Sequence, residues 1–243
     1  MSGHSKWNNI KRKKEKTDSQ RAKIFTKIGR ELTVAVKEGG ADPSINSKLK
    51  DCIAKAKANN VPNDNIERII KKAAGDGDLN KFEAITYEGY GPSGVAVIVE
   101  TLTDNRNRTA ADLRHYFDKF GGNMGTPGCV SFMFNKRGVI VLEKMDLDED
   151  KVMEDCLEAG ASDFLTDDEY FIIYTEPEDC INVSEDLVKK GYNLVSIEIE
   201  MVPSTYTHVD DEQVLEKLQK LFDILEDNDD VQNVWHNLED FDN

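Results

Sequence analysis

The chain has 243 residues, of which 31 are Lys or Arg and 47 are Asp or Glu, so its formal net charge is −16. Hydrophobic residues make up 39% of the chain, which is enough to build packed cores and excludes wholesale disorder. The longest aliphatic run, residues 95–99, is far shorter than the roughly 20 residues of a membrane helix, and no apolar segment of a secretory signal follows Met1.

The charge is distributed unevenly along the chain. Residues 1–75 contain 18 bases and 8 acids, whereas residues 76–243 contain 13 bases and 39 acids. Within the acidic part, residues 138–201 alone contain 4 bases and 19 acids. A basic head followed by an acidic body is typical of a protein that contacts nucleic acid at one end.

The basic head is predicted to form three short helices. Apolar residues recur every three or four positions in residues 25–36, 49–56 and 66–73, as on the buried face of an amphipathic helix. Glycine or asparagine follows each segment and indicates where each helix ends. We therefore expect a basic helical domain of residues 1–75, followed by a Gly-Asp-Gly-Asp linker at 75–78.

Beyond this linker the periodicity changes to that of strands. Residues 82–90 and 94–102 are predicted strands, and the turn sequence Gly91-Pro92-Ser93-Gly94 joins them. A helix is expected over 113–120, and a further strand is expected at 130–134.

Residues 138–200 have the order strand, helix, strand, strand, helix, strand of a ferredoxin-like unit. A helix over 214–225 and a strand near 231–235 then complete the preceding domain. The sequence thus predicts an α+β fold, in which a three-helix N-terminal domain precedes two ferredoxin-like α/β sandwiches and the third domain is inserted in the second. The six elements of the inserted unit are 139–142, 150–157, 163–165, 170–174, 183–190 and 194–199. The expected domains are 1–75, 76–137 together with 202–243, and the acidic 138–201.

The first 30 residues carry the strongest binding signal, because they contain ten bases and only two acids. Such a cluster attracts phosphates without any base-specific geometry. Lys23, Lys27 and Arg30 also fall on one face of the first helix, roughly opposite its apolar stripe. The alternative is a solvated tail that keeps the protein soluble. The candidate nucleic-acid-binding residues are Lys6, Trp7, Lys11, Arg12, Lys13, Lys14, Lys16, Arg21, Lys23, Lys27 and Arg30.

Two features of this set indicate how it would bind. Trp7 is a candidate for stacking on an exposed base, and its alternative role is to pin the terminus to a helix surface. Lysine outnumbers arginine 14 to 4 in residues 1–75, which favours point-charge contacts with phosphate over bidentate reading of bases.

A second candidate site is a pair of arginines after the second predicted strand. Arg106 and Arg108 fall at the start of a helix, where the helix dipole disfavours cations. Together with Asn105 and the free backbone N–H groups, they form a candidate phosphate pocket. The alternative is that Asp104 or Glu100 pairs with the arginines and the cluster is structural.

The sequence predicts no enzyme site. The nearest candidates for a nucleophile and its base are Cys129 and His115, which are 14 residues apart across a loop. The four cysteines form no Cys-x-x-Cys pair, which predicts reduced thiols and no short zinc motif. The acidic runs at 146–150 and 167–169 lack the spacing of an EF-hand. We therefore expect no enzymatic activity, metal, cofactor or small-molecule substrate.

Five longer motifs carry a resemblance to a known family. They are Gly3-His-Ser-Lys-Trp-Asn-Asn-Ile10, Lys23-Ile-Phe-Thr-Lys-Ile28, Asn60-Val-Pro-Asn-Asp-Asn-Ile-Glu-Arg68, Tyr87-Glu-Gly-Tyr-Gly-Pro92 and Leu102-Thr-Asp-Asn-Arg-Asn-Arg-Thr109. These motifs resemble the signatures of the YebC/PmpR family, and the resemblance implies an N-terminal helical domain followed by two α+β domains. Members of that family are described as probable transcriptional regulatory proteins that bind DNA. Mitochondrial relatives activate translation of a cytochrome oxidase subunit, and bacterial relatives are linked to ribosome function.

Charge, motifs and resemblance together predict a non-enzymatic, nucleic-acid-binding regulator of gene expression in a bacterial cytoplasm. The first interpretation is a DNA-binding transcriptional regulator. The alternative is a ribosome- or RNA-associated translation factor that acts on elongation. The expected partner is accordingly DNA, or ribosomal RNA and the ribosome, and no membrane.

Overall fold

The structure, a computed structural model, describes residues 18–75, 82–167 and 169–239. Within these ranges the chain forms seven α-helices and eight strands. In chain order they are α1 (Asp18–Gly39), α2 (Ser47–Ala58), α3 (Asn63–Gly75), β1 (Glu83–Tyr90), β2 (Ala96–Thr103), α4 (Arg106–Lys119), β3 (Asn123–Met124), β4 (Phe134–Glu143), α5 (Glu149–Glu158), β5 (Asp163–Thr166), β6 (Tyr170–Thr175), α6 (Cys180–Lys189), β7 (Leu194–Pro203), α7 (Glu212–Asp227) and β8 (Val231–His236).

These elements divide into two compact units. The larger unit holds the described residues up to Cys129 together with Asp210–Val234. The smaller unit holds Val130–Val209 together with the described residues from Trp235 onward. No helix of the described ranges is both long and apolar enough to cross a membrane.

The larger unit begins with the three predicted helices. α1 packs against both α2 and α3, and the apolar positions that recur every three or four residues are the ones that this packing buries. Gly40 follows α1 with φ +85°, in the left-handed region that glycine adopts most readily and in which helices commonly end. The buried core of the bundle is Ile28, Leu32, Ala35, Val36, Leu49, Ala56, Val61, Ile66 and Ala73.

The buried side chain of Asn46 joins α1 to α2. Its Oδ1 accepts a hydrogen bond from the Leu49 backbone N at 3.0 Å and thereby caps the start of α2. Its Nδ2 donates to the carbonyls of Ala35 and Gly40, both at 2.8 Å. A Cβ on Gly39 would lie 2.6 Å from this side chain, so the close approach requires a glycine there.

The larger unit continues into a four-stranded sheet with the order β3-β1-β2-β8. The hairpin of β1 and β2, which the turn sequence predicts, lies at its centre and is antiparallel. α4 crosses this sheet closely, since a Cβ on Gly89 of β1 would lie 3.0 Å from the Phe117 ring. β8 comes from the far end of the chain to lie beside β2.

The smaller unit contains the predicted ferredoxin-like arrangement. Its antiparallel sheet has the order β5-β6-β4-β7, and α5 and α6 pack on one face. All four strands lie between β3 and β8 in the sequence, so this sheet is inserted in the first one. The predicted fold class is therefore confirmed. The first sheet differs in connectivity, because its tight hairpin joins the two central strands.

The structure also differs locally from the prediction. The expected strand at 130–134 is a 3-10 turn over Ser131–Met133, which leads into β4. In this turn the Met133 N–H donates to the Val130 carbonyl at 2.9 Å, and Phe132 is 75% exposed, so the apolar run does not alternate as a strand does. The expected boundaries at 137/138 and 201/202 fall inside β4 and β7, and the division into three domains stays a prediction.

We expect Asn46→Ala to lower the free energy of unfolding by about 2–3 kcal/mol, because it removes a buried cap and leaves two carbonyls without their donor. Asn59→Ala is the matched control, since it removes one exposed side-chain hydrogen bond to the Lys55 carbonyl, and its cost should stay below about 0.5 kcal/mol. Urea unfolding followed by circular dichroism measures both. Equal costs for the two variants would contradict the role given to Asn46.

Candidate nucleic-acid interface

Two of the predicted nucleic-acid-binding lysines on α1 contact the end of α7. The Lys23 Nζ lies 2.8 Å from an Asp227 carboxylate oxygen. The Lys27 Nζ donates to the Glu226 carbonyl at 2.7 Å. The C-terminal end of a helix carries partial negative charge and exposed carbonyls, so it favours cations at this position.

Arg30 extends this contact to the turn that leads into β8. Its Nη1 lies 2.7 Å from Asp230 Oδ1, 2.7 Å from the Asp229 carbonyl and 3.1 Å from the Leu102 carbonyl. The guanidinium also lies 5.4 Å from the centre of the Phe82 ring, within the range of a cation–π interaction. Arg30 therefore ties the helical bundle to the end of β2 and the start of β8.

The carboxylate of Asp230 lies at the centre of this contact and is buried, with the residue 4% exposed. Its Oδ2 accepts hydrogen bonds from Arg108 Nη2 at 2.7 Å, Thr109 Oγ1 at 2.8 Å and Thr103 Oγ1 at 3.1 Å. Burial raises the pKa of Asp230, but the hydrogen bonds from Arg108, Thr109 and Arg30 outweigh it and lower the pKa to about 2. The carboxylate is thus held in its charged form.

The structure places the three residues of the predicted phosphate pocket in different roles. Asn105 caps α4, since its Oδ1 accepts a hydrogen bond from the Arg108 backbone N at 3.1 Å. Arg108 pairs with Asp104 at 2.9 Å as well as with Asp230, as the structural alternative expects for Asp104. Arg106 is exposed and forms no ion pair within the described residues. Phosphate contact at this pocket stays a prediction.

Exposed cations that the sequence reasoning did not single out lie on α2 and α3. Two lysines of α2 are neutralised by α1, since Lys48 pairs with Glu38 at 2.6 Å and Lys55 pairs with Glu31 at 2.8 Å. Five other cations are exposed, and within the described part of the chain none of them forms an ion pair. They are Lys50, Lys57, Arg68, Lys71 and Lys72. Their helical spacing, at positions 50 and 57 and at 68, 71 and 72, is the signal that identifies them.

The rest of the basic segment lies outside the part of the chain that the structure describes. These residues are Lys6, Trp7, Lys11, Arg12, Lys13, Lys14 and Lys16. Arg21 lies near the start of α1.

The comparison with protein families covers almost the whole chain. Residues 5–76 match the family described as "TACO1/YebC protein N-terminal domain", and residues 82–238 match "TACO1/YebC second and third domain". The chain belongs to the TACO1/YebC family. The resemblance to YebC seen in the motifs is therefore confirmed.

Relatives within the family support the same assignment. A protein of Acetivibrio thermocellus named "Probable transcriptional regulatory protein" is 62% identical over 238 residues, which are 98% of each chain. A protein of the same name from Finegoldia magna is 58% identical over 237 residues, again 98% of each chain. A crystal structure of a conserved hypothetical protein, Aq1575 of Aquifex aeolicus, matches with a TM-score of 0.82 at 44% identity and covers 92% of each chain.

The described residues contain no group of three or more His, Cys, Asp or Glu side chains that could hold a metal ion. All four cysteines are free thiols. Burial, together with the charge of Glu88, raises the pKa of the Cys129 thiol, which opposes its use as a thiolate nucleophile.

We expect Asp230→Asn to destabilise the protein by about 3 kcal/mol, because it leaves the Arg30 and Arg108 guanidiniums without their buried carboxylate. Asp229→Asn is the matched control, since it removes a carboxylate one position earlier, where only the backbone carbonyl contacts Arg30. Its cost should stay below about 0.5 kcal/mol. Urea unfolding at pH 7 measures both, and a similar cost at the two positions would contradict the central role of Asp230.

We also expect the effect of Asp230→Asn on the free energy of unfolding to depend on pH. Because the folded-state pKa of Asp230 is about 2 and its ordinary value is 3.8, its charged form stabilises the protein above pH 4, and this contribution is lost as the pH falls from about 4 to 2. The shift corresponds to about 2 kcal/mol. The difference in unfolding free energy between wild type and Asp230→Asn should therefore shrink in that window. A difference that stays constant from pH 5 to pH 2 would show that the carboxylate contributes otherwise.

Proposed function

We propose that this protein is a non-enzymatic, nucleic-acid-binding regulator of gene expression, with DNA-binding transcriptional control as its first function. The observation that carries the proposal is the set of five exposed cations on α2 and α3, which form no ion pair among the described residues. These cations belong to a basic segment whose first 30 residues contain ten bases. Such surfaces attract phosphate groups by releasing counterions. The name "Probable transcriptional regulatory protein" of its relatives supports the regulatory role.

The proposed interface includes the candidate residues of the basic head and adds the exposed cations of α2 and α3. Four of the candidates are bound to acceptors within the chain, namely Lys23, Lys27, Arg30 and Arg108. A phosphate would therefore have to compete with Asp227 for Lys23, and with the buried Asp230 for the two arginines. The residues outside these pairs are proposed to bind phosphate first, and Arg106 is proposed to add a contact at the start of α4.

The excess of lysine over arginine in this segment favours contact with the phosphate backbone over reading of bases. This mode suits DNA with little sequence preference. It also suits structured RNA, which proteins recognise mainly by shape. We therefore carry one second candidate, a ribosome- or RNA-associated translation factor that acts on elongation. For either function we propose the bacterial cytoplasm as the location, with no cofactor.

The proposal is tested by changing Lys11, Arg12, Lys13 and Lys14 together to Gln. Affinity should fall about equally for unrelated duplex sequences, and the slope of log K against log salt should flatten by ~0.9 for each phosphate group that the variant no longer binds. Changing Lys50 and Lys57 to Gln should have the same kind of effect, and the slope should flatten by about 1.8 if both lysines bind phosphate. Fluorescence anisotropy with labelled duplexes measures these slopes.

The matched control is Lys48→Gln with Lys55→Gln, because both lysines lie on α2 but are already paired with glutamates. This variant removes the same formal charge and should change the slope by less than half as much. Equal slopes in all variants would contradict phosphate contact by the basic head. A loss confined to one sequence at an unchanged slope would indicate base reading instead.

The same titration distinguishes the two candidate functions when ribosomal RNA fragments are added as competitors. A preference of more than about a thousandfold for one DNA site over nonspecific DNA supports transcriptional control. A preference for folded RNA, with indifference to DNA sequence, supports the translation factor.

A further inference from the structure

Exposed apolar side chains are concentrated in the smaller unit. Of the ten large hydrophobic residues that the described ranges expose, eight lie between Met145 and Ile199. The same stretch is the most acidic part of the chain, with 4 bases and 19 acids in residues 138–201. An acidic surface repels nucleic acid, whereas exposed apolar groups mark sites of protein contact. The proposed nucleic-acid function uses neither property.

Two of the exposed residues, Ile197 and Ile199, lie on the helix-covered face of the second sheet. Ile197 is paired with Ile140, which belongs to the core beneath α5 and α6. Ile199 is paired with Gly138, where a Cβ would lie 2.6 Å from Cys180 of α6. Directly paired residues share a face of the sheet, and β7 is the last strand of the sheet order. Both isoleucines therefore lie beside α6 at the margin of the sheet.

Two further exposed residues, Ile181 and Val188, lie on the flank of α6 that is turned toward β7. They are seven positions apart and so share one side of the helix. Lys190, which directly follows α6, donates hydrogen bonds to Asp155 and Glu158 of α5 and so marks the opposite flank as the one that faces α5. Because successive residues of a helix are 100° apart, Ile181 and Val188 lie on the side of α6 opposite Lys190. This side points away from α5.

The four residues form one strip of apolar surface, here called the α6–β7 strip, on two elements of the same unit. Their exposed fractions are 41% for Ile181, 56% for Val188, 42% for Ile197 and 39% for Ile199. Glu185 lies one turn from both α6 members and is exposed, so it places a carboxylate at the margin of the strip.

We propose that the α6–β7 strip is the docking surface for a basic segment of another protein, which places apolar side chains on the strip and its lysines or arginines against Glu185 and other acids of residues 138–201. Charge complementarity selects this partner. A second copy of this chain would bring one segment of 19 acids against another, and a nucleic acid would meet the same repulsion. The inference stands independently of the proposed nucleic-acid function, because it involves a different unit of the chain.

The test uses the full chain and a labelled 14-residue peptide of Lys and Leu, with the leucines at helical spacing. Anisotropy at 0.15 M salt should show binding of this peptide. A peptide with Glu in place of Lys should bind at least tenfold more weakly, and so should one with Ser in place of Leu. Val188→Ser combined with Ile197→Thr should lower the affinity for the Lys/Leu peptide at least tenfold.

The matched control is Leu157→Ser on α5, because Leu157 is 53% exposed, nearly as much as Val188, but lies outside the strip. This variant should change the affinity less than twofold. An equal loss in Leu157→Ser, or no loss in the strip variant, would overturn the proposal, since binding would then reflect general attraction to an acidic protein. Thermal unfolding checks that the strip variant is folded, and Val188→Ser alone, on the helix surface, serves in its place if it is not.

Hydrogen exchange locates the bound peptide. Slower exchange confined to α6 and β7 supports the strip, and slower exchange elsewhere in the chain overturns it. A 20-nucleotide RNA that slows exchange in α6 and β7 would also overturn the proposal, as would dimerisation of the full chain that Val188→Ser abolishes.

Discussion

The buried carboxylate of Asp230 is the interaction on which the larger unit depends. It gathers donors from three separate elements, namely Arg30 on α1, Thr103 at the end of β2, and Arg108 with Thr109 on α4. A buried charge without such donors would be strongly unfavourable, so the carboxylate requires all three elements to be in place. The bundle and the first sheet are thus held together by directional polar contacts, which fix orientation more strictly than apolar packing does.

This contact changes how the charge of the basic head is understood. The formal excess of bases in residues 1–75 counts Lys23 and Arg30, although the structure pairs both with aspartates from the acidic end of the chain. Among the described residues of this segment, the five exposed bases without an ion pair lie on α2 and α3. Part of the negative charge of the acidic body thus acts within the larger unit, because Asp227 and Asp230 neutralise cations there.

Local patterns in the sequence predicted most of the fold, because helices, hairpins and the ferredoxin-like order depend on nearby residues. The two-residue strand β3 was not predicted, and the 3-10 turn at Ser131–Met133 was predicted as a strand, since neither element is long enough to show a hydrophobic period. The site was predicted less completely. The Arg108–Asp104 pair was foreseen as an alternative, because the two residues lie one helical turn apart. Asp230 was not, because 200 positions separate it from Arg30 and no spacing rule reaches that far.

The position of β8 in the chain has a consequence for how the protein is made. Synthesis proceeds from the N-terminus at about 5–20 residues per second, and the helical bundle, whose contacts are local, can form early. The first sheet cannot be completed at that stage, because β8, the strand beside β2, comes from residues that follow the whole inserted sheet. The carboxylate that Arg30 and Arg108 share belongs to residue 230, which is made after the whole inserted sheet. This ionic contact can therefore close only after the residues of both the bundle and the inserted sheet have been synthesised.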